Sequence, residues 1–156
     1  MINFNFKGIR IEAIANLRQH AYKDVRRGPS TRFEREVEVS VHFWDFGICE
    51  RDFYELAFVK STLQYFMQSY WKRSNKTGGN IYLAKALHQE HPHSGHQSLL
   101  FAASQKKNQH YLHISLRAAA TGTILQEVHL DGQEVMMLDI ALHKAIGLLS
   151  PATIYS

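Results

Sequence analysis

The run REVEVSVHFWDF, residues 35–46, constrains the fold more than any other part of the chain. Val37, Val39, Val41 and Phe43 alternate strictly with Glu36, Glu38, Ser40, His42 and Trp44. On a helix this spacing would scatter the apolar side chains around the axis. On a strand it sends them all to one face, so the segment reads as half-buried β-structure with His42 and Trp44 on its polar side.

A half-buried strand needs partners. From Phe4 to Leu17 a second alternation runs through Phe4 and Phe6 and then, after a change of phase at Gly8, through Ile9, Ile11, Ala13, Ala15 and Leu17. A phase change at glycine is what a β-bulge produces. Between the two alternating segments lies KDVRRGPSTRFER, with the turn-forming pair Gly28-Pro29 at its centre. The expected unit is a long β-hairpin with a basic tip.

Asp52 with Glu55 three residues on has the form of a capping box. The apolar stripe behind it, Phe53, Leu56, Val59, Leu63, Phe66, Met67 and Tyr70, recurs at helical steps, and Gly78-Gly79 marks its end. NIYLAKAL, HQSLLFAAS, QHYLHISLRA and TGTILQEVHLD read as strands, the middle two joined at QKKN. Asp131 and Glu134 repeat the capping pattern before a second helix, whose buried face is Val135, Leu138, Leu142, Ala145, Ile146 and Leu149. Met136, Met137, Ile140, Ala141 and Leu148 lie outside that face, so the helix is apolar over more than half its circumference. The expected architecture is one α+β domain over residues 1–156, mostly antiparallel sheet with two amphipathic helices, in the order β-β-α-β-β-β-β-α. No internal repeat is visible in the sequence.

The net charge of +4 is unevenly distributed. Residues 1–35 carry eight Lys and Arg against three Asp and Glu, and the rest of the chain is close to neutral. A basic block set apart in this way points toward polyanions. Arg18, Lys23, Arg26, Arg27, Arg32 and Arg35 belong to it, and guanidinium groups suit phosphate because they donate in pairs. On the later strands Tyr111, His113 and Arg117 share one expected face with Ser115, while Glu127 and His129 share the polar face of the next. With Trp44 these rings could stack unpaired bases.

HQEHPHSGH, residues 88–96, gathers His88, His91, His93 and His96 around Pro92 and Gly95. It reads as a polar loop, with metal binding as the alternative, since a structural zinc site usually includes cysteine. The single cysteine, Cys49, excludes an internal disulfide and favours a cytoplasmic setting. No uninterrupted apolar run suggests a leader or a membrane span. No nucleophile-elbow, Gly-rich phosphate-loop or zinc-protease motif is present.

The expected function is therefore non-enzymatic and cofactor-free: nucleic-acid binding with little sequence specificity, single-stranded DNA or RNA preferred. Self-association is expected through Leu138, Leu142 and neighbouring apolar positions. Strands closed by a capped apolar helix are similar in outline to the whirly-type single-stranded DNA-binding proteins, a resemblance that implies the same class of ligand. The alternatives are a structural or regulatory interaction subunit, and a metal- or histidine-dependent hydrolase using the 88–96 segment with His110 or His113.

Overall fold

The computed structural model describes residues 2–24, 28–49, 52–71, 84–91 and 95–149, with the backbone alone described at 15–24, 28–36, 71 and 91. The chain forms β1 (Ile2–Phe6), β2 (Ile9–Asp24), β3 (Gly28–Phe43), β4 (Phe46–Cys49), α1 (Phe53–Phe66) and a π-helical turn (Met67–Trp71). It continues with β5 (Ala84–His91), β6 (Gly95–Lys106), β7 (Gln109–Ala118), β8 (Ile124–Leu130) and α2 (Gly132–Gly147). Two antiparallel sheets result, ordered β1-β2-β3-β4 and β5-β6-β7-β8. Each half of this α+β chain is thus a four-stranded meander followed by a helix, a repeat of topology that leaves no trace in the sequence.

The expected order lacked two strand breaks, and both are tight turns. The phase change at Gly8 is not a bulge but a hairpin: Lys7 (φ 50°) and Gly8 (φ 86°) reverse the chain so that β1 pairs back on β2. Positive φ at both central residues is the geometry whose twist matches the flanking strands. The second break falls at Trp44, which leaves β3 with φ 56° and returns the chain as β4. The Trp44 N–H donates to the Gly8 carbonyl at 2.9 Å, so the two turns clasp each other. QKKN does turn as expected, at Lys107 and Asn108.

One hydrophobic cluster joins both sheets and both helices. Ile9, Ile11, Val39, Val41, Phe43, Phe46 and Ile48 supply it from the first sheet; Leu99, Phe101, Leu112, Ile114 and Leu130 from the second. Phe43 meets Phe101 edge to face at 5.6 Å, so the inner faces of the sheets touch directly. Leu56, Val59, Leu63 and Phe66 of α1 and Val135, Leu138, Leu142 and Ala145 of α2 complete it. Leu138 and Leu142 are 1% and 0% exposed, so the expected self-association through them is corrected: they are sealed in their own chain's core. The exposed apolar residues of α2 and its C-cap are Met136, Met137, Ile140 and Leu148.

Two polar contacts lock the layers. Lys60 of α1 pairs with Asp139 of α2 at 2.8 Å, with both side chains largely covered. At the sheet edges, the Gln89 carboxamide of β5 donates to the Gly47 carbonyl of β4 at 2.8 Å and accepts from the Gly47 N–H at 3.3 Å. It acts as one peptide unit of a missing strand and blunts the open edge of β4 at Gly47.

The helix starts differ from each other. Asp131 caps α2 as expected: its carboxylate accepts from the Glu134 N–H at 2.8 Å, and Glu134 accepts from the Asp131 N–H at 3.1 Å. Asp52 makes no side-chain cap for α1, and instead accepts from the Cys49 thiol at 3.5 Å. Burial, with the nearby Asp52 charge, pushes the Glu55 carboxyl above its ordinary value, so these two acids oppose rather than brace each other.

Candidate nucleic-acid interface

Both helices pack on the inner side of the second sheet, and the outer side gathers the polar chemistry of the second half. Leu99, Phe101, Leu112, Ile114 and Leu116 turn inward, and the alternation of burial breaks at Ser115, which is covered although register puts it on the other face. Tyr111, His113, Ser115 and Arg117 therefore face outward together, as their spacing predicts.

Register then assembles the rows. His113 lies opposite Ala102 on one side and His129 on the other, and Ser115 lies between Leu100 and Glu127. Arg117 is opposite Ser98, which is opposite His88. His113 Nε2 bonds Glu127 at 2.9 Å, and its ring stacks on His129 at 4.3 Å with 10° between planes. Arg117 Nε donates to the fully buried Ser115 hydroxyl at 3.1 Å. His88 Nδ1 meets the Ser98 hydroxyl at 2.8 Å, and the Tyr111 hydroxyl donates to Gln109 at 3.2 Å.

The face has a floor of mostly small side chains (Ala86, Ala102, Ser98, Ser104) around Leu100, rimmed by rings and one guanidinium. Its fixed charges include the Arg117 guanidinium and the Glu127 carboxylate, with the imidazoles of His113 and His129 beside them. Burial, the adjoining His113 and Lys106 hold His129 below its ordinary value, with Glu127 opposing. His129 thus resists protonation at neutral pH.

Other candidates go elsewhere. Trp44 sits in a turn of the first sheet, where an added Cβ at Gly8 would come within 2.3 Å of its indole Nε1. The ring is a clamp on the hairpin, which corrects its placement on an open strand face. His42 is on the outer side of the first sheet, with its imidazole beside Gly47. The fold separates these residues from Tyr111 and Arg117 because the two polar faces belong to different sheets.

The basic hairpin is longer than expected, and its apex moves. Asp24 pairs with Gly28, so Gly28-Pro29-Ser30-Thr31 lies within β3 and not at the tip. Arg26 and Arg27 fall outside the described residues. β1 pairs no further than Ala13 and β4 no further than Ser40. Beyond them, the pairs from Ile14–Glu38 to Asp24–Gly28 form a two-stranded ribbon, about 36 Å long at ~3.3 Å per residue. Position 18 is opposite 34 and 20 opposite 32, whereas 23 and 35 belong to the other set of alternating positions. Arg18 and Arg32 thus belong to one set of register positions and Lys23 and Arg35 to the other.

The histidine segment is not a loop for most of its length, which is a further correction. His88 and His91 belong to β5 and His96 to β6, with His96 opposite Glu90 and His91 opposite Gly95; His93 lies outside the described residues. Among the described residues no group of three or more His, Cys, Asp or Glu is placed to hold a metal. Nor does the fold bring the segment to His110 or His113. His110 pairs with Gln105, nine residues along β6 from His96 and so roughly 30 Å away; His113 pairs with Ala102, roughly 20 Å away.

What spacing did not reveal is the role of Gln89, Gln109 and the small-residue floor. Uncharged amides and alanines carry no signal until register shows what they face. Among the described residues no helix is long and apolar enough to cross a membrane. No model of a known protein family matches the chain, and no curated protein does either.

Proposed function

We propose that the protein binds single-stranded nucleic acid through the outer face of its second sheet, with the basic ribbon of β2 and β3 adding phosphate contacts. The observation that carries this reading is the register that sets Tyr111, the His113–His129 stack and Arg117 on one face over small side chains. Rings beside a low floor suit splayed bases, and a planar cation beside them suits the backbone. Duplex fits less well, because paired bases do not offer their faces. The role is binding rather than catalysis, and a reducing, cytoplasmic setting suits a chain with one cysteine.

The test is fluorescence anisotropy with labelled single-stranded DNA, single-stranded RNA and duplex DNA at about 50 and 200 mM salt. Single strands bind more tightly than duplex, and affinity falls steeply with salt. Replacing Arg26, Arg27 and Arg32 together by alanine lowers the salt slope by about 2, since each phosphate left unneutralised removes ~0.7. Absence of binding at low salt would sink the reading. A second reading, a subunit that self-associates through α2, has the exposed Met136, Met137, Ile140 and Leu148 in its favour. Sedimentation equilibrium of wild type and Ile140→Asp separates the two.

A further inference from the structure

A cleft of about 400 Å³ opens where three elements meet: the π-helical turn after α1, the β6–β7 turn and the first turn of α2. This volume is in the range of small-ligand sites. Tyr70 and His110 form an aromatic wall, their ring centroids 4.9 Å apart. Asn108, Gln109 and Gln133 supply three carboxamides, and Asp131 a carboxylate.

The lining selects the class of ligand. A phosphate is disfavoured, because Asp131 and Glu134 already hold the N-terminus of α2 with their own negative charge. The Tyr70–His110 wall and three neutral amides suit a flat, uncharged molecule that both donates and accepts hydrogen bonds along its edge. Nδ1 of His110 is buried without a hydrogen-bond partner, an unmet bond in the wall that a half-turn of the ring would present to such a ligand.

The cleft also adjoins the proposed interface. Tyr111, on the outer face, is one residue from His110, and its hydroxyl engages the Gln109 carbonyl oxygen at 3.2 Å. That bond leaves the Gln109 amide N–H groups to donate. A strand lying across Tyr111 reaches the β6–β7 turn directly.

We propose that this cleft receives one unpaired nucleobase and gives the protein a base preference that the sheet face lacks. The inference rests on the reading of the sheet as a single-strand surface. Its test has two arms: amide NMR of the protein titrated with each free nucleoside, and anisotropy with ~12-nucleotide homopolymers and an abasic strand of the same length.

The expected result is that one or two nucleosides shift the side-chain amides of Asn108, Gln109 and Gln133. The homopolymers then differ at least tenfold in affinity, and Q109A/Q133A levels them while keeping the salt slope. Both glutamines are exposed, so the variant folds. Equal binding of all homopolymers and the abasic strand, without nucleoside shifts, overturns the base cleft and leaves the interface standing. Nucleoside shifts without oligonucleotide binding overturn the interface and keep the cleft as a nucleoside site.

Discussion

Single residues decide two features of this protein. Gly8 is one: at φ 86° it adopts a conformation that L side chains rarely take, and Trp44 fills the space a Cβ would need. G8A is expected to cost at least about 2 kcal/mol, read as a shift in the urea midpoint, because backbone strain and the displaced indole act together. Since Trp44 is committed to that clamp, its fluorescence should stay unchanged when an oligonucleotide binds. His129 is the other. Burial and neighbouring positive charge hold its folded pKa below the unfolded value of ~6.5, and His42 is shifted the same way by burial and Arg10. The unfolded chain therefore takes up protons first as pH falls. Stability contributed by the neutral imidazoles is lost as pH drops through about 6.5 toward the folded pKa values. The thermal midpoint should decline between about pH 7.5 and 5.5, and H42Q/H129Q should flatten that decline. Binding should move oppositely over the same range, since a proton on His129 adds positive charge to the face.

Elements are held to one another by interactions that secondary structure alone does not contain. The Lys60–Asp139 pair bridges the two helices with each side chain about one-seventh exposed (15% and 14%). Removing one partner leaves a poorly solvated charge, so K60M or D139L should each cost about 1–3 kcal/mol. The double variant should cost less than the sum, and a double-mutant cycle in chemical denaturation measures the difference. Additive losses would mean that the two groups do not interact. Gln89 does the same work between sheets with uncharged groups, satisfying both backbone positions of Gly47.

At the scale of the whole molecule, one core serves both ββββα halves, so apolar helix residues fall into two populations. Leu138 or Leu142 replaced by aspartate should abolish cooperative unfolding, because an ionised carboxylate would enter the shared core. Met137→Asp and Ile140→Asp, at positions 46% exposed, should leave the thermal midpoint within a few degrees. Circular dichroism melts of the four variants check the assignment of faces.

Strand and helix character was legible from local physics. Alternation placed β3, β7 and β8, helical spacing placed α1 and α2, and the Asp131–Glu134 cap followed from residue chemistry three positions apart. The outward grouping of Tyr111, His113 and Arg117 was legible too, because period two is a property of the backbone. What the tertiary structure decided is pairing. Whether Gly8 bulges or reverses the chain, whether Asp52 caps, and whether His88 and His96 sit in a loop or in paired strands depend on partners distant in sequence. So does the meeting of Tyr70, Gln109 and Gln133 around one cleft. Periodicity tells a side chain which face it is on; only the closing of the two sheets over one core tells it what it faces.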